Sequence, residues 1–239
     1  ITCRDWSSDV CSSDLPGEFQ ADTVGHDGGN ARGEFCFTLT LVDVASGWTE
    51  LRALRNRAGL WIEKALADIK ATLPLPFKAL HTDNGGEFIN LTVATFCAGN
   101  DIAFTRSRAD RKNDNAYVEC RNDDAVRRSV GYARFDSEDE YQALVAVYRA
   151  AVPFMNHFLP SMKLTDKHRE GAKVIKRHDR AVTPYQRLMQ SPFVSPEAKA
   201  ALQETHEAYD MVELKLLYDE ALDRLAELSK AKSSICPKL

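Results

Sequence analysis

The rhythm of hydrophobic and polar positions changes several times along this chain, and each change marks an element. Between residues 18 and 43 the rhythm is two: EFQADTV is followed by EFCFTLTLVDV, in which Phe35, Phe37, Leu39 and Leu41 alternate with Cys36, Thr38 and Thr40. Alternation at every second residue sends one set of side chains to one face of a strand, so two adjacent strands are predicted. The connecting HDGGNARG, with three glycines and an asparagine, suits a hairpin. SGW after Asp43 reads as a turn into a third strand at TELRAL, completing an antiparallel start.

The rhythm then lengthens. Ile62, Leu66, Ile69 and Leu73 recur at the helical interval within LWIEKALADIKATL, and Pro74 and Pro76 stop the helix. FKALHTD is a short apolar strand, LTVATFCAGN a second helix and IAFTRS a further strand. This alternation argues for a mixed sheet with helices packed on it. One helix is predicted from about Asn115 to Val130, capped by Asp114 or Asn113. Ser137 and Glu140 form a capping box ahead of an apolar stripe of Tyr141, Leu144, Val145, Tyr148 and Val152, giving a helix at least as far as Pro153. Ser195-Pro196-Glu197 starts an acidic helix predicted to run unbroken to about Leu228, with Leu202, Tyr209, Val212, Leu216 and Leu225 near one face. The fold class is therefore α/β, a mixed sheet with an antiparallel edge.

Composition narrows the classes. The 239 residues are 44% hydrophobic and 28% charged, an ordinary globular balance. No run approaches the roughly 20 apolar residues of a membrane span, and no charged leader precedes an apolar stretch, so a cytoplasmic protein with no membrane partner is expected. The six cysteines form neither a CxxC pair nor a zinc-spaced cluster, which points to reduced thiols. The net charge of −4 conceals a basic stretch, Lys163 to Arg187, with eight Lys and Arg against three acids. The opening ITCRDWSSDVCSSDL has no apolar periodicity. Asp5 to Leu15 resembles the conceptual translation of a sequencing-library adapter, so residues 1–15 are expected to be an artefact and the natural N-terminal region to be missing.

Three acids stand at polar turns where elements begin or end: Asp22 in QADTV, Asp83 in HTDNGGEF and Glu119 in NDNAYVECRN. A carboxylate embedded in an apolar strand is costly unless paired or metal-bound. Asp83 ends an apolar strand ahead of Asn84-Gly85-Gly86, at the sheet end where ligands collect. Glu119 shares a polar helix face with Asn115, Asn122 and Asp123. Hard divalent cations take oxygen ligands and keep several waters, so three acids can hold two ions for an in-line phosphoryl transfer, with no protein nucleophile required. Asp43 in LVDVASG reads instead as a turn-stabilising residue, and His81 as a satisfied structural histidine. Asp27, Glu87 and Asp114 read as loop or cap residues.

Thirty-five residues separate Asp83 from Glu119. With this spacing, the strand Asp followed by Thr, LVDVASGWTE, TDNGGEF, TRSRADRKNDNAYVE and VRRSVGYARF, the stretch from about Gly17 to Arg187 resembles the integrase catalytic core of retroviral integrases and a large group of bacterial insertion-sequence transposases. The resemblance implies a ribonuclease H-like mixed sheet, antiparallel strands 1–3 plus parallel strands, flanked by helices. It implies that Asp22 and Asp83 bridge Mg²⁺ or Mn²⁺ ions, two of them, with Glu119 completing the catalytic metal site. Water would attack a phosphodiester at the element's end, and the freed 3′-hydroxyl would attack target DNA. Cys120-Arg121 departs from the Gln-Lys that often follows the glutamate in that family.

The domain expectation is a catalytic core at 16–158, a basic segment at 159–190 and a helical appendage at 191–239. Arg106, Arg108, Arg111 and Lys112, leading towards Glu119, together with Arg121, Lys173, Lys176 and Arg177, are expected to contact DNA phosphates. The expected partners are DNA, both element ends and target, and further copies of the full-length chain, with no small-molecule cofactor. The expected site of action is the bacterial cytoplasm, on the nucleoid. The alternatives are a two-metal nuclease and a catalytically incompetent DNA-binding or regulatory fragment.

Overall fold

The computed structural model describes residues 15–83, 91–107, 115–171 and 173–235. Strands β1 (Glu18–Gly25), β2 (Phe37–Asp43) and β3 (Thr49–Leu54) form the predicted antiparallel start. Helix α1 (Gly59–Thr72), strand β4 (Ala79–Thr82), helix α2 (Leu91–Gly99) and strand β5 (Ala103–Arg106) follow. The five strands make one sheet in the order β3-β2-β1-β4-β5, with β4 and β5 parallel to β1. This is the ribonuclease H-like arrangement expected from the sequence.

Both faces of the sheet are covered, which the alternation in β2 did not disclose. Phe19, Ala21, Leu39, Leu41, Leu54 and Leu80 pack with Ile62, Leu66 and Ile69 of α1 and Val93 of α2. The opposite face carries Val24 and Leu51 against Ala125, Val126 and helix α5 (Glu138–Phe158), which supplies Leu144, Val147 and Tyr148. Thr38 and Thr40 are fully buried there. The Thr38 hydroxyl lies 2.7 Å from His26 Nε2 and 2.5 Å from Tyr148 Oη, so a polar residue of the alternation is bonded inside the core rather than wet.

Asp43 is the turn residue that the sequence suggests. Its Oδ1 accepts from the Gly17 amide, and its Oδ2 accepts from the amide and hydroxyl of Ser46, tying the start of β1 to the β2–β3 turn. Burial pushes its carboxyl above the usual carboxylate range, and these donors and the Lys163 charge pull it back. Gly17 must be glycine: its φ is +110°, and a Cβ would stand 2.4 Å from the Pro76 carbonyl oxygen.

The capping box forms, with Ser137 accepting from the Glu140 amide and Glu140 reaching back to Ser137. The helix runs past Pro153 to Phe158. Near its end Asn156 accepts from the Thr49 amide and donates to the Thr49 carbonyl, both at 2.8 Å, covering two backbone groups of the sheet's edge strand.

The C-terminal region differs from the single helix expected. Helix α6 (Pro184–Gln190) is followed by α7 (Pro196–Glu207) and α8 (Met211–Ile235). The break is enforced by Asp210, whose Oδ1 accepts from the Val212 and Glu213 amides and so starts a new helix. The break resets the helical phase: Leu202 and Leu225 are buried, but Val212 and Leu216 are 61% and 64% exposed. Tyr218, Leu222 and Leu225 instead pack α8 on α5. Among the described residues no helix is long and apolar enough to cross a membrane.

Two buried histidines make stability depend on pH. Burial, with the Arg127 charge nearby, pushes His26 down to about 3. Burial, with His206 beside it, pushes His157 down to about 4. Both stay neutral in the fold, whereas the unfolded chain protonates near pH 6.5. Their contribution is therefore intact above that pH and is lost as pH falls from about 6.5, by about 1.4 kcal/mol per pH unit for each histidine. Thermal unfolding followed at pH 7, 6 and 5 should give a falling midpoint, with a shallower fall in His157→Phe; an unchanged slope in that variant would refute the assignment. Asn156→Ala should lower the unfolding free energy by about 1–3 kcal/mol in urea titrations, since it leaves the Thr49 backbone groups unpaired.

Candidate active site

The site is built outward from β1. Its register with β4 pairs Gln20 with His81 and Ala21 with Thr82, so Asp22 and Asp83 are one step beyond the last registered pair, on neighbouring parallel strands at the same sheet end. Asp22 is half-buried, and so is Asp83. His81 is the satisfied residue expected: its Nδ1 is 2.9 Å from the Thr105 hydroxyl and its Nε2 3.2 Å from that of Ser107.

Helix α3 (Ala116–Arg121) is fixed to this end by three consecutive residues of β1. Gln20 Oε1 accepts from the amides of Tyr117 and Val118, at 3.0 and 3.3 Å, serving first-turn donors that have no partner within the helix. The Ala21 carbonyl accepts from Asn115 Nδ2 at 3.3 Å. Asp22 Oδ2 accepts from Asn122 Nδ2 at 2.7 Å, and its Oδ1 from the Thr23 amide at 2.7 Å. The polar face read from the sequence thus turns towards β1, with Asn115 and Asn122 as its contact points.

Past Arg121 the helix widens into a π-helical turn, Asn122–Arg127, before closing as α4 (Arg128–Val130). The wide turn buries Ala125 and Val126 in the core while Asn122 reaches Asp22. Such turns interrupt otherwise regular helices where a side chain must be aimed. Asn115 caps the helix by position but makes no side-chain capping bond; Asn113 and Asp114, the capping residues expected, lie outside the described residues.

Glu119 precedes Asn122 by one turn, on the same helix flank, and is exposed. Among the described residues no three His, Cys, Asp or Glu side chains converge closely enough to hold one ion. What the site does present is oxygen chemistry. Besides the carboxylates, the amide oxygens of Asn115 and Asn122 are buried without a hydrogen-bond partner. A hard cation with its waters is suited to such a donor set.

The expected cationic residues are distributed unevenly. Arg106 is exposed at the end of β5, its guanidinium 5.2 Å from the Phe104 ring centroid. Arg108, Arg111 and Lys112 lie outside the described residues, as do the Asn84-Gly85-Gly86 turn and Glu87. Arg121 is half-buried, near the Gly47 turn and close to Asp124 and Arg187. The basic segment forms an antiparallel ribbon, β6 (Leu164–Glu170) and β7 (Lys173–His178), on which Lys173, Lys176 and Arg177 are exposed. Sequence reading missed Gln20, although an amide amid the buried residues of EFQAD is itself a signal.

Residues 16–112 match the model of the integrase core domain. The chain is 38% identical over 186 residues to an uncharacterized protein, y4rM, of Sinorhizobium fredii (strain NBRC 101917 / NGR234), across 78% of this chain and 52% of that protein. It therefore spans about half the length of the curated relative it matches. A cryoEM structure of the simian T-cell lymphotropic virus intasome in complex with PP2A regulatory subunit B56 gamma overlaps 62% of this chain and 51% of the other, at 16% identity and a TM-score of 0.48. Residues 16–112, which hold the five-stranded sheet in the order β3-β2-β1-β4-β5, are thus similar to an integrase core domain.

Proposed function

We propose that this chain performs Mg²⁺- or Mn²⁺-dependent DNA cleavage and strand transfer for a mobile element, with Asp22, Asp83 and Glu119 as the metal-binding carboxylates. The observation that carries the reading is the parallel register of β1 and β4, which brings two aspartates to one sheet end within a matched integrase core domain. A third carboxylate stands on the helix that Gln20 and Asp22 anchor there. Divalent ions bound by these acids would activate an attacking oxygen and offset charge on the leaving one.

The chain's own residues have distinct parts in this scheme. Asp22 and Asp83 supply charge at a fixed strand end. Asn122 orients the Asp22 carboxylate through its 2.7 Å bond, and Gln20 holds the turn that carries Glu119. Arg106 and Arg121, with Arg108, Arg111 and Lys112 beyond the described residues, supply phosphate-binding cations on the approach to Glu119. The assembled enzyme acts on element ends and target DNA as a multimer of full-length chains, in the cytoplasm on the nucleoid.

Cleavage and joining of labelled duplex in Mg²⁺ test the scheme. Asp83→Asn and Asp22→Asn should each lose at least about a hundredfold in rate while still binding DNA in chelator. Full activity in Asp83→Asn would sink it, and nicks without joined products would identify a nuclease instead. Asn122→Ala should cost about tenfold and raise the Mg²⁺ concentration for half-maximal rate, the behaviour of a residue that orients a ligand rather than acting as one.

A further inference from the structure

The ribbon of β6 and β7 has two electrostatically different faces. Directly opposed residues of an antiparallel pair share a face, and the register opposes Asp166 with Arg177, His168 with Ile175 and Glu170 with Lys173. On that face His168 Nδ1 lies 3.0 Å from Asp166 Oδ2 and its Nε2 3.3 Å from Glu170 Oε1. The two acids, with Lys173 and Arg177 opposite them, leave the face nearly balanced in charge.

The other face is formed at positions 167, 169, 174 and 176, where Lys167 opposes Lys176 and Arg169 opposes Val174. Arg169 and Lys176 stand on it with no acid opposite them. Arg169 and Lys176 are exposed, as are Lys173 and Arg177, and none of the four makes an ion pair within 4.0 Å among the described residues, so the faces differ in the acids that stand opposite the cations. Cations on one face with no acid to offset them leave a local positive field, an arrangement that an anion would relieve. The half of the ribbon that neutralises itself and the half that does not are set by the period-two geometry of the same two strands.

The base of the ribbon is fastened. The Lys163 amide donates to Asp179 Oδ1 and its Nζ to the Ala45 carbonyl, at 2.5 and 2.7 Å. Arg187 bonds the Ser161 carbonyl at 2.6 Å and Asp179 Oδ2 at 3.0 Å. Ala45 belongs to the β2–β3 turn, near whose Gly47 the Arg121 guanidinium stands, two residues after Glu119. The ribbon is thus rooted beside the helix that carries Glu119 and is not a freely hung tail.

We propose that the face carrying Arg169 and Lys176 is a phosphate-binding face for duplex DNA, gripping the backbone away from the carboxylates, while Lys173 and Arg177 serve the ribbon's internal charge balance. A two-stranded ribbon is of a size that a major groove admits, and contacts to phosphate alone position a duplex without reading its sequence. The inference rests on the reading of the chain as a DNA strand-transfer enzyme and names a contact surface that the carboxylate site does not contain.

The test measures the affinity of the 239-residue chain for a random-sequence duplex as salt is varied, in chelator so that catalysis is silent. Arg169→Gln/Lys176→Gln should weaken binding at least about tenfold at low salt and reduce the slope of log affinity against log salt by about two, one phosphate contact for each cation removed. Lys173→Gln/Arg177→Gln, which removes the same charge from the same ribbon, should leave that slope unchanged. Equal slopes for the two double variants would overturn the assignment of a face, and so would unchanged binding in the first. Tighter retention of single-stranded RNA than of duplex by the unaltered ribbon would overturn the choice of partner. Circular dichroism melting of both variants separates these results from unfolding. Cleavage by Asp83→Asn reports on the carboxylate scheme, so either idea can fail without the other.

Discussion

Everything at the candidate site depends on one buried amide. Gln20 lies on β1 with its side chain nearly inaccessible to water, and its single oxygen receives two backbone donors from the first turn of α3. A buried amide oxygen and two orphan helix donors would each be costly alone, and their union removes all three costs at once. The contact fixes where α3 begins. With the beginning fixed, the helical interval determines where Glu119 and Asn122 stand, and the π-helical turn completes the approach of Asn122 to Asp22. Gln20, Ala21 and Asp22 therefore act as a three-residue template on which a second element is registered.

The same economy runs through the rest of the molecule. Asp43, Glu50 and Asn156 are buried polar groups at the antiparallel edge, and each satisfies backbone or neighbouring side-chain groups that would otherwise be orphaned. Glu50 accepts from Trp48 Nε1 at 2.9 Å and pairs with Arg52, which continues to Asp68 on α1; burial nevertheless pushes its carboxyl upward. Lys232 of α8 reaches Asp136 and Glu140, joining the last helix to the capping box of α5. These links close the antiparallel half of the fold with polar bonds, while the candidate acids Asp22 and Asp83 stand in the parallel half, at the kind of strand end where ligands gather. Charge is divided too: acids outnumber bases along α7 and α8 together, whereas bases outnumber acids on the ribbon rooted near α3.

Much of this was legible in the chain before folding was considered. The period-two and helical rhythms placed β1 to β5, α1, α2 and α5, because burial of one face imposes a repeat on the sequence. The capping box and the Pro74 stop were equally local, each requiring only neighbours in sequence. What the rhythm concealed was the second covered face: Thr38 and Thr40 look like the solvent side of a half-buried strand, yet both are buried, and Thr38 is bonded there by Tyr148 and His26, more than ten residues away. The break at Asp210 escaped notice because an acid in an acidic helix looks like any other exposed residue until its side chain turns to cap the next turn.

By itself the sequence determined the strand and helix content, the α/β class and the resemblance to an integrase core, and it singled out the three acids of the proposal. The tertiary structure alone decided which polar residues serve the site, that Gln20 and Asn122 hold α3 against β1, and which cations of the basic segment face together. The physical reason is range. Periodicity, caps and turns are settled by contacts within a few residues, whereas the bonds from Asn122 to Asp22 and from Gln20 to α3 span about a hundred positions and exist only once the sheet has brought β1 to its centre.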